Sequence, residues 1–250
     1  MTEFSNFYII YDGERSGTFS LNSRVKNGWK YRIGLGVPVH LLAGDEWIQS
    51  LRGFKTLSLI DFTPVTKRVP VSNIGYLPRY QAAWLEGLAA TLPNPARVVE
   101  IGTGYGSSLV RILYGLVLHE DAHVWSIDIE ECEIARGHIQ DARVPFWRYT
   151  FITSDSTEAA AMDWEPLDMI YVDGSHSYVG VRADILEWSP HLKYGGIMVF
   201  DDFDNDLHEV TPAVNEFMLA NGDDWNFVGL VGTMIAFEKI DADAIADAGD

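Results

Sequence analysis

Two short stretches of this chain gather the side chains that could do chemistry. Tyr171-Val-Asp173-Gly-Ser-His176 and, on the next apolar run, Met198-Val-Phe-Asp201-Asp202 put Asp173, His176, Asp201 and Asp202 at two neighbouring strand ends. Three carboxylates on one rim of a parallel sheet repel one another unless a cation sits between them. Oxygen ligands suit Mg²⁺ or another hard divalent ion, and a histidine one short turn away suits removal of a proton from whatever that ion holds. Plainer roles stay open beside these. Asp173 could cap the following helix, and Asp201-Asp202 could be a solvated turn leading into Asp204 and Asp206.

Upstream lies Glu100-Ile-Gly102-Thr103-Gly104-Tyr105-Gly106-Ser107, a glycine-rich passage from an apolar run into a helical one. Glycines there remove side chains that would collide with a ligand and adopt positive φ freely. The pattern alone also describes a tight turn, so its neighbours matter. Glu100 stands where a carboxylate suits a cationic or hydroxyl-bearing ligand better than a pyrophosphate. Asp128 closes the second apolar run, the position from which open α/β sheets bind two ribose hydroxyls. Ser154 and Asp155 follow the third run, within reach of an adenine amino group, and Tyr105 offers a ring to the same ligand. A dinucleotide fingerprint would place glycine at position 107, where the chain has Ser107.

These residues need a scaffold, and from residue 96 the chain alternates short apolar runs with helical segments. Runs at 96–101, 123–127, 149–152, 167–172 and 197–200 alternate with helical patterns at 107–118, 130–141, 179–191 and 212–220. That rhythm predicts a doubly wound, mostly parallel α/β sheet. Runs at 225–231 and 233–238 leave no room for a helix between them and should pair antiparallel at the sheet edge. The first 95 residues lack the rhythm. Strand-like stretches fall at 4–11, 29–35 and 55–62, and an amphipathic helix at 78–92 leads into the sheet, ended by Pro93 and Pro95. The expected organisation is an N-terminal cap over 1–95, the α/β domain over 96–240 and an acidic tail over 241–250. The cap would cover the cofactor side, supply substrate contacts or make a subunit interface of a homo-oligomer.

Composition narrows the partners. Of the 250 residues 47% are apolar and the formal charge is −18, with no run of about 18 apolar residues that would span a membrane. Residues 1–97 hold 11 Lys+Arg against 7 Asp+Glu, whereas 98–250 hold 7 against 29. Such an acidic chain is a poor fit to a nucleic-acid backbone, which is bound through clustered Lys and Arg. The opening Met-Thr-Glu-Phe-Ser-Asn has no basic start followed by an apolar stretch, so a cytoplasmic location is expected. Cys132, the single cysteine, excludes an internal disulfide framework and sits between Glu131 and Glu133 in the expected helix, which disfavours a reactive thiolate. His208 is expected at the surface, with lining of the acceptor pocket as the alternative. Trp147, Tyr178 and Trp188 are expected mainly as packing residues.

Residues 96–238 resemble class I S-adenosylmethionine-dependent methyltransferases. The resemblance is carried by Glu100-x-Gly-x-Gly-x-Gly106, an acid after the second run, Ser154-Asp155 after the third, Asp173 after the fourth, and the terminal strand pair. Asp173-Gly-Ser-His176-Ser-Tyr, Gly195-Gly, Asp201-Asp202-Phe and Ala213-Val-x-Glu-Phe217 are further similar to the small metal-dependent O-methyltransferases. These include enzymes acting on macrolide sugars and, more distantly, the catechol type. The resemblance implies a Rossmann-like seven-stranded fold and methyl transfer from S-adenosyl-L-methionine to a hydroxyl of a small molecule. It implies cofactor contacts at Glu100, Gly102, Thr103, Gly104, Tyr105, Gly106, Ser107, Asp128, Ser154, Asp155 and Asp173. Mg²⁺ would be held by Asp173, Asp201 and Asp202, with His176 as base beside Asp173. A metal-independent methyltransferase, an NAD-linked oxidoreductase and a non-catalytic scaffold are the competing readings.

Overall fold

The computed structural model describes residues 77–241. The strand-like stretches expected within 1–76 and the tail from residue 242 lie outside the described residues. A helix, α1 (Arg79–Ala90), precedes β1 (Arg97–Ile101). Then come α2 (Ser107–Gly115), β2 (His123–Asp128), α3 (Glu133–Asp141), β3 (Tyr149–Thr153), α4 (Ser156–Ala160) and β4 (Leu167–Val172). The chain continues through α5 (Tyr178–Trp188), β5 (Leu192–Phe200), α6 (Val210–Asn221), β6 (Trp225–Val231) and β7 (Met234–Lys239).

The seven strands run in the order β3-β2-β1-β4-β5-β7-β6. Neighbours from β3 through β5 pair parallel, and β7 lies antiparallel to both β5 and β6. The expected terminal pair is therefore present, with β7 inserted beside β5 and β6 forming the outer edge. All six residues of β4 are buried, as an apolar run covered on both faces requires.

Strand alternation sorts side chains onto two cores. Val98, Met169, Tyr171, Ile197 and Val199 pack with Trp84 and Leu88 of α1, Leu109 and Ile112 of α2 and Ile139 of α3. Val99, Ile101, Ile170, Val172, Met198 and Phe200 pack instead with Ile185 and Trp188 of α5 and Val214 and Met218 of α6. Glu100, Asp173 and Asp201 continue the first alternation, which places their side chains on the α1–α2 side of the sheet.

Three elements depart from the sequence reading. The helix expected from 130 starts at Glu133 because Asp128 Oδ1 accepts from the Glu130 N–H at 3.0 Å and closes a turn there. Cys132 therefore precedes the helix, and burial followed by the nearby Asp128 charge pushes its thiol up to about 11. Strand β5 starts five residues early, at Leu192, through an irregularity opposite Leu167 and Met169 where Gly195 takes φ 82°. Helix α4 has five residues, too few for a periodic signal, and Asp155 caps it by accepting from the Thr157 N–H at 2.9 Å.

Candidate functional site

Hydrogen bonds of the parallel ladder continue past the strand ends and set the site's rim in register. Ser154 N–H donates to Asp128 O at 2.9 Å, Gly102 N–H to Ile127 O at 2.8 Å, Asp173 N–H to Ile101 O at 2.8 Å and Asp201 N–H to Val172 O at 3.1 Å. The chain winds outward from β1 to β3 and then crosses to β4 on the other side of β1, so β1 and β4 flank the topological switch point. Ligands of open α/β sheets bind outside the carboxyl ends at that crevice. Gly102 is packed so closely there that a Cβ would lie 2.1 Å from the Asp173 carbonyl oxygen, and its φ is +90°. Only glycine fits that approach.

A cavity of about 990 Å³ opens over this rim. Five aspartates line it (Asp128, Asp155, Asp173, Asp201 and Asp202), and no lysine or arginine is among its described lining residues. At its glycine-loop end, Asp128 Oδ2 accepts from the N–H groups of Thr103 and Gly104, both at 3.0 Å. Tyr105, half exposed, and Ser107 line the same end, with Ser154, Asp155 and Ser156 across from them. Asp155 is held below the usual carboxylate range by hydrogen bonds from the Thr157 hydroxyl and N–H. Gly106, at φ 79°, turns the chain into α2, and a Cβ there would meet that of Ala135 at 2.8 Å.

Glu100 is placed differently from its loop. It is fully buried and lies outside the cavity lining, and its carboxyl group accepts from the Ser108 hydroxyl at 2.5 Å and from the Ser126 hydroxyl. Burial pushes its pKa up to about 8 against the lowering effect of the two serines. Ser108 does line the cavity, so Glu100 reaches that space through a serine.

At the other end six polar side chains and two imidazoles converge. Tyr171 O–H donates to Asp201 Oδ2 at 3.0 Å and approaches Asp173 Oδ2 at 3.4 Å. Asp201 Oδ1 accepts from Gln81 Nε2 at 3.2 Å, from the Thr233 hydroxyl at 3.2 Å and from the Asp202 N–H at 2.8 Å. His176 Nε2 lies 3.5 Å from Asp173 Oδ1 and 3.3 Å from Asp202 Oδ2. Burial, with repulsion from Asp201 and Asp202, raises Asp173 to about 6, and burial also raises Asp201. The Asp173 hydrogen bond in turn raises His176. Carboxylates that repel one another, with no lysine or arginine among the described lining residues, are a donor set that a hard divalent cation fits. Asp173 does not cap α5, since Ser177 does so by accepting from the Gly180 N–H at 3.2 Å.

Several participants escaped the sequence reading. Gln81 comes from α1 and Thr233 from the β6–β7 turn, and neither position carries a local motif. Asn205 Nδ2 donates to Asp202 Oδ1 at 2.8 Å, a partner visible only once the loop is folded. His208, expected at the surface, lines the cavity with its ring centroid 4.2 Å from that of His176. The turn from Asp202 (φ 54°) to Asp204 (φ 59°) brings it back over the rim. Trp188 is buried in the core and Trp147 is exposed. Tyr178 hydrogen-bonds Glu216, away from the cavity lining.

Residues 99–203 match a family described as Methyltransferase domain. No curated protein matches the chain in sequence. Among solved structures, the SAH-bound Podospora anserina methyltransferase PaMTH1 superposes with a TM-score of 0.55 at 17% identity, covering 71% of this chain and 85% of that one. The O-methyltransferase NovP gives 0.55 at 14%, covering 64% and 80%. Cofactor-bound Rv0187 from MTB gives 0.54 at 20%, covering 66% and 81%. No helix among the described residues is long and apolar enough to cross a membrane. Residues 99–203 are thus similar to a methyltransferase domain, and the described residues share the fold of these solved methyltransferases.

Proposed function

We propose that the protein transfers a methyl group from S-adenosyl-L-methionine to a hydroxyl oxygen of a small metabolite, a sugar or phenolic natural product. Mg²⁺ or another divalent cation assists, and His176 acts as general base. One observation carries this reading: a single acid-lined cavity joins the Gly102–Gly106 loop to the Asp173, His176, Asp201 and Asp202 group. A cavity with five aspartates and no described lysine or arginine suits a sulfonium donor and a metal ion. The same lining opposes a pyrophosphate, and Asp128 already occupies two loop N–H groups that a dinucleotide would use. Both features weigh against the NAD-linked alternative. The name of NovP, an O-methyltransferase, supports oxygen as the acceptor.

In this reading the chain's own residues divide the work. Gly104 leaves open space for the donor, Gly102 and Gly106 let the loop pack against Asp173 and Ala135, Asp128 takes ribose hydroxyls, and Ser154 and Asp155 meet the adenine edge. Glu100 supports the loop through Ser108 and Ser126. Asp173, Asp201 and Asp202 hold the cation, with Asp201 oriented by Gln81, Thr233 and Tyr171. When bound there, Mg²⁺ supplies orientation and increased acidity to the acceptor hydroxyl. His176 Nε2 receives the hydroxyl proton, and Asp173 and Asp202 offset the imidazolium charge that results. Residues of 1–95 contribute acceptor contacts, cover the cavity or join subunits, and the enzyme acts in the cytoplasm.

Calorimetric titration tests the donor, and chelation tests the ion. S-adenosylhomocysteine is expected to bind and NAD not; binding of NAD alone would remove both methyltransferase readings. Activity that survives EDTA would leave a metal-independent transferase using His176.

A further inference from the structure

The loop after β5 builds a second kind of donor set beside the carboxylate rim. His208 Nε2 lies 3.5 Å from Asp202 Oδ2, the same oxygen that stands 3.3 Å from His176 Nε2. The three ligand atoms lie within 4.8 Å of one another. Metal–ligand bonds of about 2.0–2.2 Å in a tetrahedron put neighbouring ligand atoms roughly 3.3–3.5 Å apart, which both measured edges match. The third edge, between the two imidazoles, lies within the same 4.8 Å.

The surroundings orient these ligands. Asn205 Nδ2 holds Asp202 Oδ1 at 2.8 Å, which leaves Oδ2 turned toward the two rings. His208 N–H donates to Asn205 O at 3.1 Å, and Glu209 N–H donates to His176 O at 2.8 Å, so both histidine backbones are tied to one turn. All three side chains line the cavity. Two imidazoles and one carboxylate favour a borderline first-row ion, whereas Mg²⁺ favours oxygen throughout.

We propose that His176, Asp202 and His208 form a tetrahedral site for a zinc-class divalent ion, with its fourth position open to the cavity. The site differs from the all-carboxylate magnesium position in two of its three ligands and shares Asp202 with it. Its consequence rests on the reading of His176 as base: an ion on Nε2 takes the lone pair that would accept the acceptor's proton. Zinc then opposes methyl transfer where magnesium supports it.

Cobalt(II), a spectroscopic stand-in for zinc, tests the site directly on the full chain. The expected result is an intense visible absorption of tetrahedral cobalt that saturates at one ion per chain and is displaced by zinc but not by magnesium. His208→Ala should weaken cobalt binding more than tenfold, and Asn205→Ala by about tenfold through the lost orienting bond. A weak octahedral spectrum in the wild type overturns the proposal, as does wild-type cobalt affinity in a His208→Ala protein that still binds S-adenosylhomocysteine. If the nucleoside binds and the tetrahedral band is missing, the ion site alone falls. If the band forms and the nucleoside does not bind, the methyltransferase reading alone falls.

Discussion

The two ends of the cavity handle the same kind of side chain in opposite ways. At the glycine loop, Asp128 is met by three backbone N–H groups, those of Thr103, Gly104 and Glu130, at 3.0 Å each. At the β4–β5 rim, Asp173, Asp201 and Asp202 crowd one another with one main-chain donor, the Asp202 N–H to Asp201, and a neutral tyrosine, a glutamine, a threonine and two histidines for company. Main-chain donors settle a carboxylate permanently. Mutual repulsion leaves one whose charge is completed only by something that arrives. On the proposed function, the first end would hold an uncharged sugar edge and the second a cation.

The contrast breaks most severely where the ends touch. Gly102→Ala forces a side chain against the Asp173 carbonyl at φ +90° and should cost about 3 kcal/mol or more. Thermal unfolding should then begin about 10 °C lower, and an unchanged melting point would show that the two ends are not joined there. His176→Ala is expected to lower kcat by about 10²–10⁴ with little change in KM; a wild-type rate at neutral pH removes its role as base.

A reciprocal pair of substitutions sharpens the division of labour. Asp201→Asn should weaken magnesium binding and turnover about tenfold or more while nucleoside affinity stays nearly intact. Asp128→Asn should do the reverse, weakening S-adenosylhomocysteine binding by about 1.5–3 kcal/mol and sparing the ion. Calorimetry on both variants reads the outcome, and loss of nucleoside binding in Asp201→Asn would reverse the assignment of the ends.

The last expected effect concerns Glu100. Its folded-state value of about 8 stands above the unfolded value of about 4.3, so the folded chain binds the extra proton. Its contribution to stability is full below about pH 4 and is lost as pH rises toward about 8. Urea unfolding between pH 5 and 8 should show this decline, and Glu100→Gln should flatten it. An equal slope in the variant would assign the pH dependence elsewhere.

How far the chain could be read depended on the range of the interactions. The sheet was legible because β-branched runs and strand alternation are local, and Leu167–Val172 and Trp225–Val231 begin and end where their patterns do. Acids at strand ends were legible because a parallel sheet brings its carboxyl ends to one side whatever the loops do. Gln81 and Thr233 were not, because each reaches the site through a packing or turn geometry with no sequence signature, and His208 lines the cavity as the less favoured of its two expected placements. Glu100 illustrates the opposite limit. Its spacing marks it, yet strand alternation turns it toward α2 and two serines.

Gln81 and Thr233 lie on either side of residues 99–203, and both reach Asp201. Excising the matched segment, or grafting it onto another scaffold, would carry every motif across and leave one carboxylate without two of its struts. The unit that similarity outlines is thus smaller than the unit that works. Any attempt to shorten this protein has to keep the helix before the first strand and the hairpin after the last helix.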